Sequence, residues 1–194
     1  MYKQVLFGMV AFVLLVGAVR RAEAVSLTLV PSQATVGIGG PVTVDVVIAD
    51  LGLGAAPTLS AFDLDITFAP GVLSFVTVSF GFDLGIPGLE ALTSAGALAG
   101  PVRVDLAAAS LLSNATLDAD QPASFVLATL HFTALGIGTS PLAITQAVLA
   151  NTAGGSIGTS LVGTSIDVVV PEPASLALVA LGLAGLARVG ARRR

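Results

Sequence analysis

Between Val25 and Val170 apolar residues fall at every second position in short runs, and glycine, proline, serine and aspartate separate the runs. Period two is the signature of strands with one face in a core and one in water. "SLTLVP" (Ser26 to Pro31) predicts a first strand. In "ATVGIGGPVTVDVVIAD" a glycine-rich turn precedes a second, with Val42, Val44, Val46 and Ile48 on one face and Thr43 and Asp45 on the other. In "LSAFDLDITFAPGVLSFVTVSF" Phe62, Leu64, Ile66 and Phe68 face inward, and Asp63, Asp65 and Thr67 face solvent. Pro70-Gly71 then supplies a turn before a fourth strand rich in valine and phenylalanine. Further strands are predicted around Val102 to Ala109, Ser124 to Ala134, Leu142 to Leu149 and Thr164 to Val170, with a short one near Gly155 to Gly158.

About eight or nine such strands, rich in β-branched residues, predict an all-β fold with little helix. An antiparallel β-sandwich suits them better than a closed barrel. Leu84 to Gly100, "LGIPGLEALTSAGALAG", breaks the spacing and reads as a loop or a short helical turn between sheets. No repeat at a solenoid or propeller period is visible, which favours one compact domain.

Both ends depart from this pattern. Lys3 precedes an uncharged apolar run from Val5 to Val19, and Ala22-Glu23-Ala24 has the small-x-small form of a signal-peptidase site. Cleavage after Ala24 is expected; the alternative is an uncleaved membrane anchor, which Arg20 and Arg21 favour. That pair follows the apolar run, so it is no twin-arginine signal, and general secretory export fits better. At the other end Pro171-Glu172-Pro173 leads into fourteen uncharged residues, Ala174 to Ala187, and then Arg188, Arg192, Arg193 and Arg194. As a transmembrane helix the run spans roughly 21 Å, short for a bilayer core of about 30 Å unless the arginines snorkel and neighbouring residues join. The basic tip belongs on the cytoplasmic side, leaving the domain outside. The chain thus divides into a signal peptide (1–24), a sandwich domain (25–170) and a C-terminal sorting and membrane segment (171–194).

The chain is 55% hydrophobic, with a mean hydropathy of +0.97, and its terminal segments carry part of that excess. They also carry seven of the eight basic residues. Between Val25 and Val170 ten acidic residues stand against Arg103 alone, a net charge of −9. A domain so acidic offers no basic footprint for nucleic acid or for an anionic membrane surface. Cysteine is absent, so an exported domain must fold without disulfides. Its length allows roughly two-thirds of the unfolded surface to be buried, enough for independent folding.

Reactive groups are scarce. The domain has one histidine, His131, with no lysine and no tyrosine. In "ATLHFTA" His131 alternates with Leu130 and Phe132, which places it on the outer face as a surface or edge-strand residue without an evident base or nucleophile partner. Asp63 and Asp65, with Asp105, are the carboxylates a glycan hydrolase would need, yet residues two apart on a strand share one solvated face. Asp118 and Asp120 in "SNATLDADQPAS" are weak calcium candidates, because loop carboxylates suit a hard cation; the EF-hand pattern is missing and a plain turn is favoured. No catalytic residue and no obligate cofactor are expected.

The tail, with Pro171-Glu172-Pro173, the apolar run and the terminal arginines in that order, resembles the PEP-CTERM sorting signal. That resemblance implies a Gram-negative envelope, recognition by an exosortase that processes near the motif, and an association with exopolysaccharide and biofilm. The stretches "VGIGGPVTVDVVIADL", "LSAFDLDITFAPGVLSFVTVSFG" and "FVLATLHFTALGIGTSPLAIT" resemble the cohesin domain, which implies a nine-stranded jelly-roll sandwich that binds a protein module. A related carbohydrate-binding role is less well supplied, because the domain has no tryptophan or tyrosine for stacking and its phenylalanines sit in strand patterns. The expected protein is therefore non-enzymatic: exported, held at the inner membrane with its domain in the periplasm, then sorted to the surface or matrix. Its expected partners are the exosortase, the membrane and either exopolysaccharide or a protein module.

Overall fold

The computed structural model describes residues 25–52, 58–98 and 103–170. In chain order the elements are β1 (Val25–Pro31), β2 (Thr35–Gly37), β3 (Pro41–Ala49), β4 (Leu59–Thr67), β5 (Leu73–Phe80), β6 (Ala91–Leu98), β7 (Arg103–Ser110), α1 (Asn114–Asp120), β8 (Phe125–Ala134), β9 (Gly138–Asn151), β10 (Thr159–Val162) and β11 (Thr164–Val169). They form a five-stranded sheet ordered β10-β1-β3-β8-β5 and a six-stranded sheet ordered β2-β11-β9-β4-β7-β6.

The alternation read from the sequence is what packs the two sheets together. Val42, Val44, Val46 and Ile48 of β3 and Leu127, Leu130 and Phe132 of β8 face Phe62, Leu64 and Ile66 of β4 and Val104 and Leu106 of β7, and all are buried. Phe132 anchors one end of this core with edge-on contacts to Phe68 and Phe75 at ring-centroid distances of 5.2 and 5.9 Å.

The described residues form eleven strands where eight or nine were expected, and three further sequence expectations need correction. The sandwich is not wholly antiparallel: β1 pairs in parallel with β10, and β2 with β11. Each terminal stretch of the domain crosses from one sheet to the other, so the first and last strands run side by side along both sheets. The crossing between β10 and β11 takes one residue, Gly163, where a Cβ would come within 2.6 Å of the Leu142 carbonyl. Second, Ala91–Leu98 is a strand, β6, paired along its length with β7, within the segment expected to be loop or helical turn. Its residues are small and weakly apolar, so the alternation is muted. Third, Asn114–Asp120 is a helix and not a plain turn. Ser113 caps it by accepting a hydrogen bond from the Thr116 N–H, and Leu117 is buried beneath it.

The strand directions define two poles. The β2–β3, β4–β5 and β8–β9 turns and the end of β11 gather at one. The start of β1, the β5–β6 loop, α1 and the loop after β9 gather at the other. Gln121 binds the second pole together: its amide donates to the carbonyls of Leu59 and Asp83, and its carbonyl accepts from the Leu59 N–H at 2.7 Å.

Candidate binding face and sorting segment

The outer face of β9-β4-β7-β6 is ordered in rows by the strand register. Ala150, Ala61, Ala109 and Leu92 lie side by side across the four strands, and the next row is Val148, Asp63, Ala107 and Ser94. The row after that, Gln146, Asp65, Asp105 and Gly96, is polar. The face thus grades from apolar to acidic along the strands.

Four alanines at the centre of the apolar rows leave an open depression of about 340 Å³ over the sheet, edged by Leu92 and Val148. These two side chains are 62% and 54% exposed, large apolar groups with water where a core contact would be expected. Small side chains in the middle and larger ones at the rim give a surface that accepts a protruding apolar group. In the polar rows Asp65 is buried, contrary to the solvated position its alternation predicts, because Arg103 donates from Nη1 to its Oδ2 at 2.8 Å. The one basic side chain of the domain is thereby spent on the face itself, and Asp63 and Asp105 remain as its negative groups.

Residues 169–194 match the model of the PEP-CTERM protein-sorting motif. No curated protein matches the chain. Among solved structures, a type II cohesin domain from the cellulosome of Acetivibrio cellulolyticus superposes with a TM-score of 0.63 at 18% identity, over 74% of this chain and 95% of that one. An interface mutant of a type II cohesin-X-dockerin complex from Acetivibrio cellulolyticus gives 0.62 at 14% identity, over 75% and 99%. The cohesin module of a family 33 glycoside hydrolase from Clostridium perfringens gives 0.60 at 12% identity, over 76% and 98%. The domain has the fold of a cohesin, and the tail is a sorting motif.

A sorting motif of this kind implies an exported protein processed at a membrane. Pro171, Glu172, Pro173 and the basic residues Arg188, Arg192, Arg193 and Arg194 fall within the matched segment but outside the described residues, and Ala22 and Ala24 of the expected cleavage site also lie outside the described residues. Among the described residues no helix is long and apolar enough to cross a membrane.

The cohesin-like frame puts the remaining candidates elsewhere. Asp118 and Asp120 lie on α1, where a two-residue step turns side chains about 200° apart. Asp118 accepts from the Thr152 hydroxyl at 3.2 Å, whereas Asp120 lines a separate hollow with Asp83 and Gln121. Among the described residues no three histidine or acidic side chains gather as a metal site would require. His131 is half-buried on β8, which is an interior strand and not an edge, and its Nε2 lies 3.3 Å from the Ser79 hydroxyl. The alanine floor was not singled out from the sequence. Its signal was present in "VDLAAAS", where Ala107 and Ala109 fill outward positions that a solvated strand would give to polar residues.

Proposed function

We propose that the protein is a non-enzymatic envelope component whose 171–194 segment enters the inner membrane after export and is processed by an exosortase, and whose sandwich binds a protein module through the β9-β4-β7-β6 face. The alanine-floored depression with its exposed leucine and valine rim carries this reading, because an apolar hollow on an otherwise acidic domain costs solubility unless a partner covers it. The fold supports it, since cohesins of the same fold have been solved joined to dockerins. The flanking carboxylates, Asp63 and Asp105, favour a partner with an apolar projection beside basic groups. Docked in this way, the protein serves adhesion or matrix structure beside secreted exopolysaccharide.

Photo-crosslinking in the producing cell tests the reading. A benzoylphenylalanine at position 92 or 148 is expected to give one discrete protein adduct, and the same group at Thr77, on the outer face of the other sheet, to give none. Adducts of equal yield from both faces, or adducts to polysaccharide alone, would refute the assignment.

A further inference from the structure

The pole from which the chain leaves toward its tail is built differently from the rest of the surface. Ile38 in the β2–β3 turn, Leu135 and Ile137 in the β8–β9 turn and Val170 after β11 are 46%, 54%, 66% and 56% exposed. Backbone hydrogen bonds hold these turns as one rigid cap: Ile38 N–H donates to Val169 O at 3.1 Å, Gly39 N–H to Ala134 O at 2.9 Å, and Leu135 N–H to Val72 O at 2.8 Å. Gly136 passes so close to the Gly71 carbonyl that no Cβ fits between them. From Gly37 to Pro41, from Ala69 to Val72 and from Ala134 to Gly138 there is no ionisable side chain. Asp167, the acid near the end of β11, accepts from the Thr139 hydroxyl at 2.6 Å.

The opposite pole holds Asp50, Asp83, Glu90, Asp118 and Asp120. A strand of the length of β4 separates the two by about 30 Å, several times the screening length in physiological salt. Five of the ten acidic side chains of the domain thus lie at the pole away from the cap, whereas Asp65 and Asp105, next to Arg103, lie two residues in from the cap ends of β4 and β7. The chain itself fixes where the cap can go. Only Pro171, Glu172 and Pro173 separate Val170 from the apolar run that starts at Ala174, a reach of at most about 14 Å when extended. The headgroup layer takes up roughly 5–8 Å of that reach, and a run of about 21 Å in a core of about 30 Å draws the domain closer still.

We propose that this cap is a membrane-seating surface, with Ile38, Leu135 and Ile137 inserted at the headgroup–acyl boundary of the leaflet that receives the tail. The proposal rests on the reading that segment 171–194 enters the membrane. Short apolar side chains on uncharged turns suit the interfacial layer, where burial of a few such groups adds to an existing anchor without binding lipid alone. The domain then stands upright, its acidic pole away from the membrane and its β9-β4-β7-β6 face turned sideways for a partner.

The native chain lacks cysteine, so one environment-sensitive fluorophore can be placed on each of the full-length variants I38C, I137C, D118C and A180C. The probe surface is a vesicle of phosphatidylethanolamine and phosphatidylglycerol containing a lipid with a doxyl quencher, placed shallow to read the I38C, I137C and D118C labels and deep to read the A180C label at the middle of the apolar run. Labels at the I38C, I137C and A180C positions are expected to lose most of their fluorescence to the quencher, and the D118C label to lose none. If the A180C label is quenched while the I38C and I137C labels behave like D118C, the tail is inserted and the cap is free, which overturns the proposal alone. If the A180C label is unquenched, the membrane reading of the tail fails and takes the proposal with it. Cap labels shielded from aqueous iodide but untouched by the lipid quencher would assign the cap to a second copy or to the tail itself, and would also overturn it.

Discussion

Arg103 and Asp65 face each other across adjacent strands of the six-stranded sheet, 2.8 Å apart, with the arginine side chain 42% exposed and the aspartate side chain 8% exposed. The pair lies between a surface ion pair, which adds little, and a buried one, whose loss leaves a charge stranded. Replacing Arg103 by Met is therefore expected to cost about 1–3 kcal/mol, read from urea midpoints. Adding Asp65→Asn should return most of that loss, because the stranded charge is then gone. Simple additivity of the two substitutions would show that they do not act as a pair.

Asp83 supplies a pH dependence of definite sign. Burial lifts its carboxyl above the usual 3.8, and a backbone hydrogen bond at the same residue opposes the shift only in part. The fold therefore disfavours the ionised form. The stability linked to this group is complete below the unfolded value and is lost as pH rises through the folded one. The Asp83→Asn variant should gain on the wild type as pH rises from about 3 to about 7. Urea midpoints that differ by the same amount across that range would contradict this.

Gly81 follows β5, and its N–H donates to the Leu127 carbonyl at 2.9 Å. A Cβ there would overlap the carbonyl of Val126, so Gly81→Ala forces the end of β5 away from β8. A loss of about 1–3 kcal/mol is expected, the range for overpacking. Gly158, with open space at its Cβ position and no positive φ, is the matched control, and Gly158→Ala should fall within about 0.5 kcal/mol of the wild type.

The sorting segment makes a prediction about the covalent product. Mass spectrometry of the mature protein is expected to find its C-terminus near Pro171–Pro173, with the arginine tip removed. Substituting all three motif residues by alanine should leave the full-length chain in the inner-membrane fraction. A mature wild-type protein that still ends at Arg194 would contradict the processing.

Strands such as β3, β4 and β8 were legible because their large apolar side chains alternate without interruption, and a core accepts only that phase. β6 was not, because "ALTSAGAL" has little large apolar alternation and is held as a strand by its ladder with β7. The parallel pairs were invisible for a related reason. β1 and β10 meet across more than half of the chain, and nothing local in "TSLV" specifies the partner. Asp65 shows the limit for the site: alternation fixed its face, but its burial depends on Arg103, 38 residues away. Four alanines are unremarkable singly. They became a hollow only when the register of four strands put them side by side.

The course of β11 has a mechanical consequence. The strand runs straight to the pole from which the tail departs and is hydrogen-bonded on both sides, to β9 antiparallel and to β2 parallel. A pull on the tail lies along its axis, so the rungs of both ladders resist together in shear, without peeling one at a time. If the proposed tether and partner both hold the protein, its last strand is braced against the force between them.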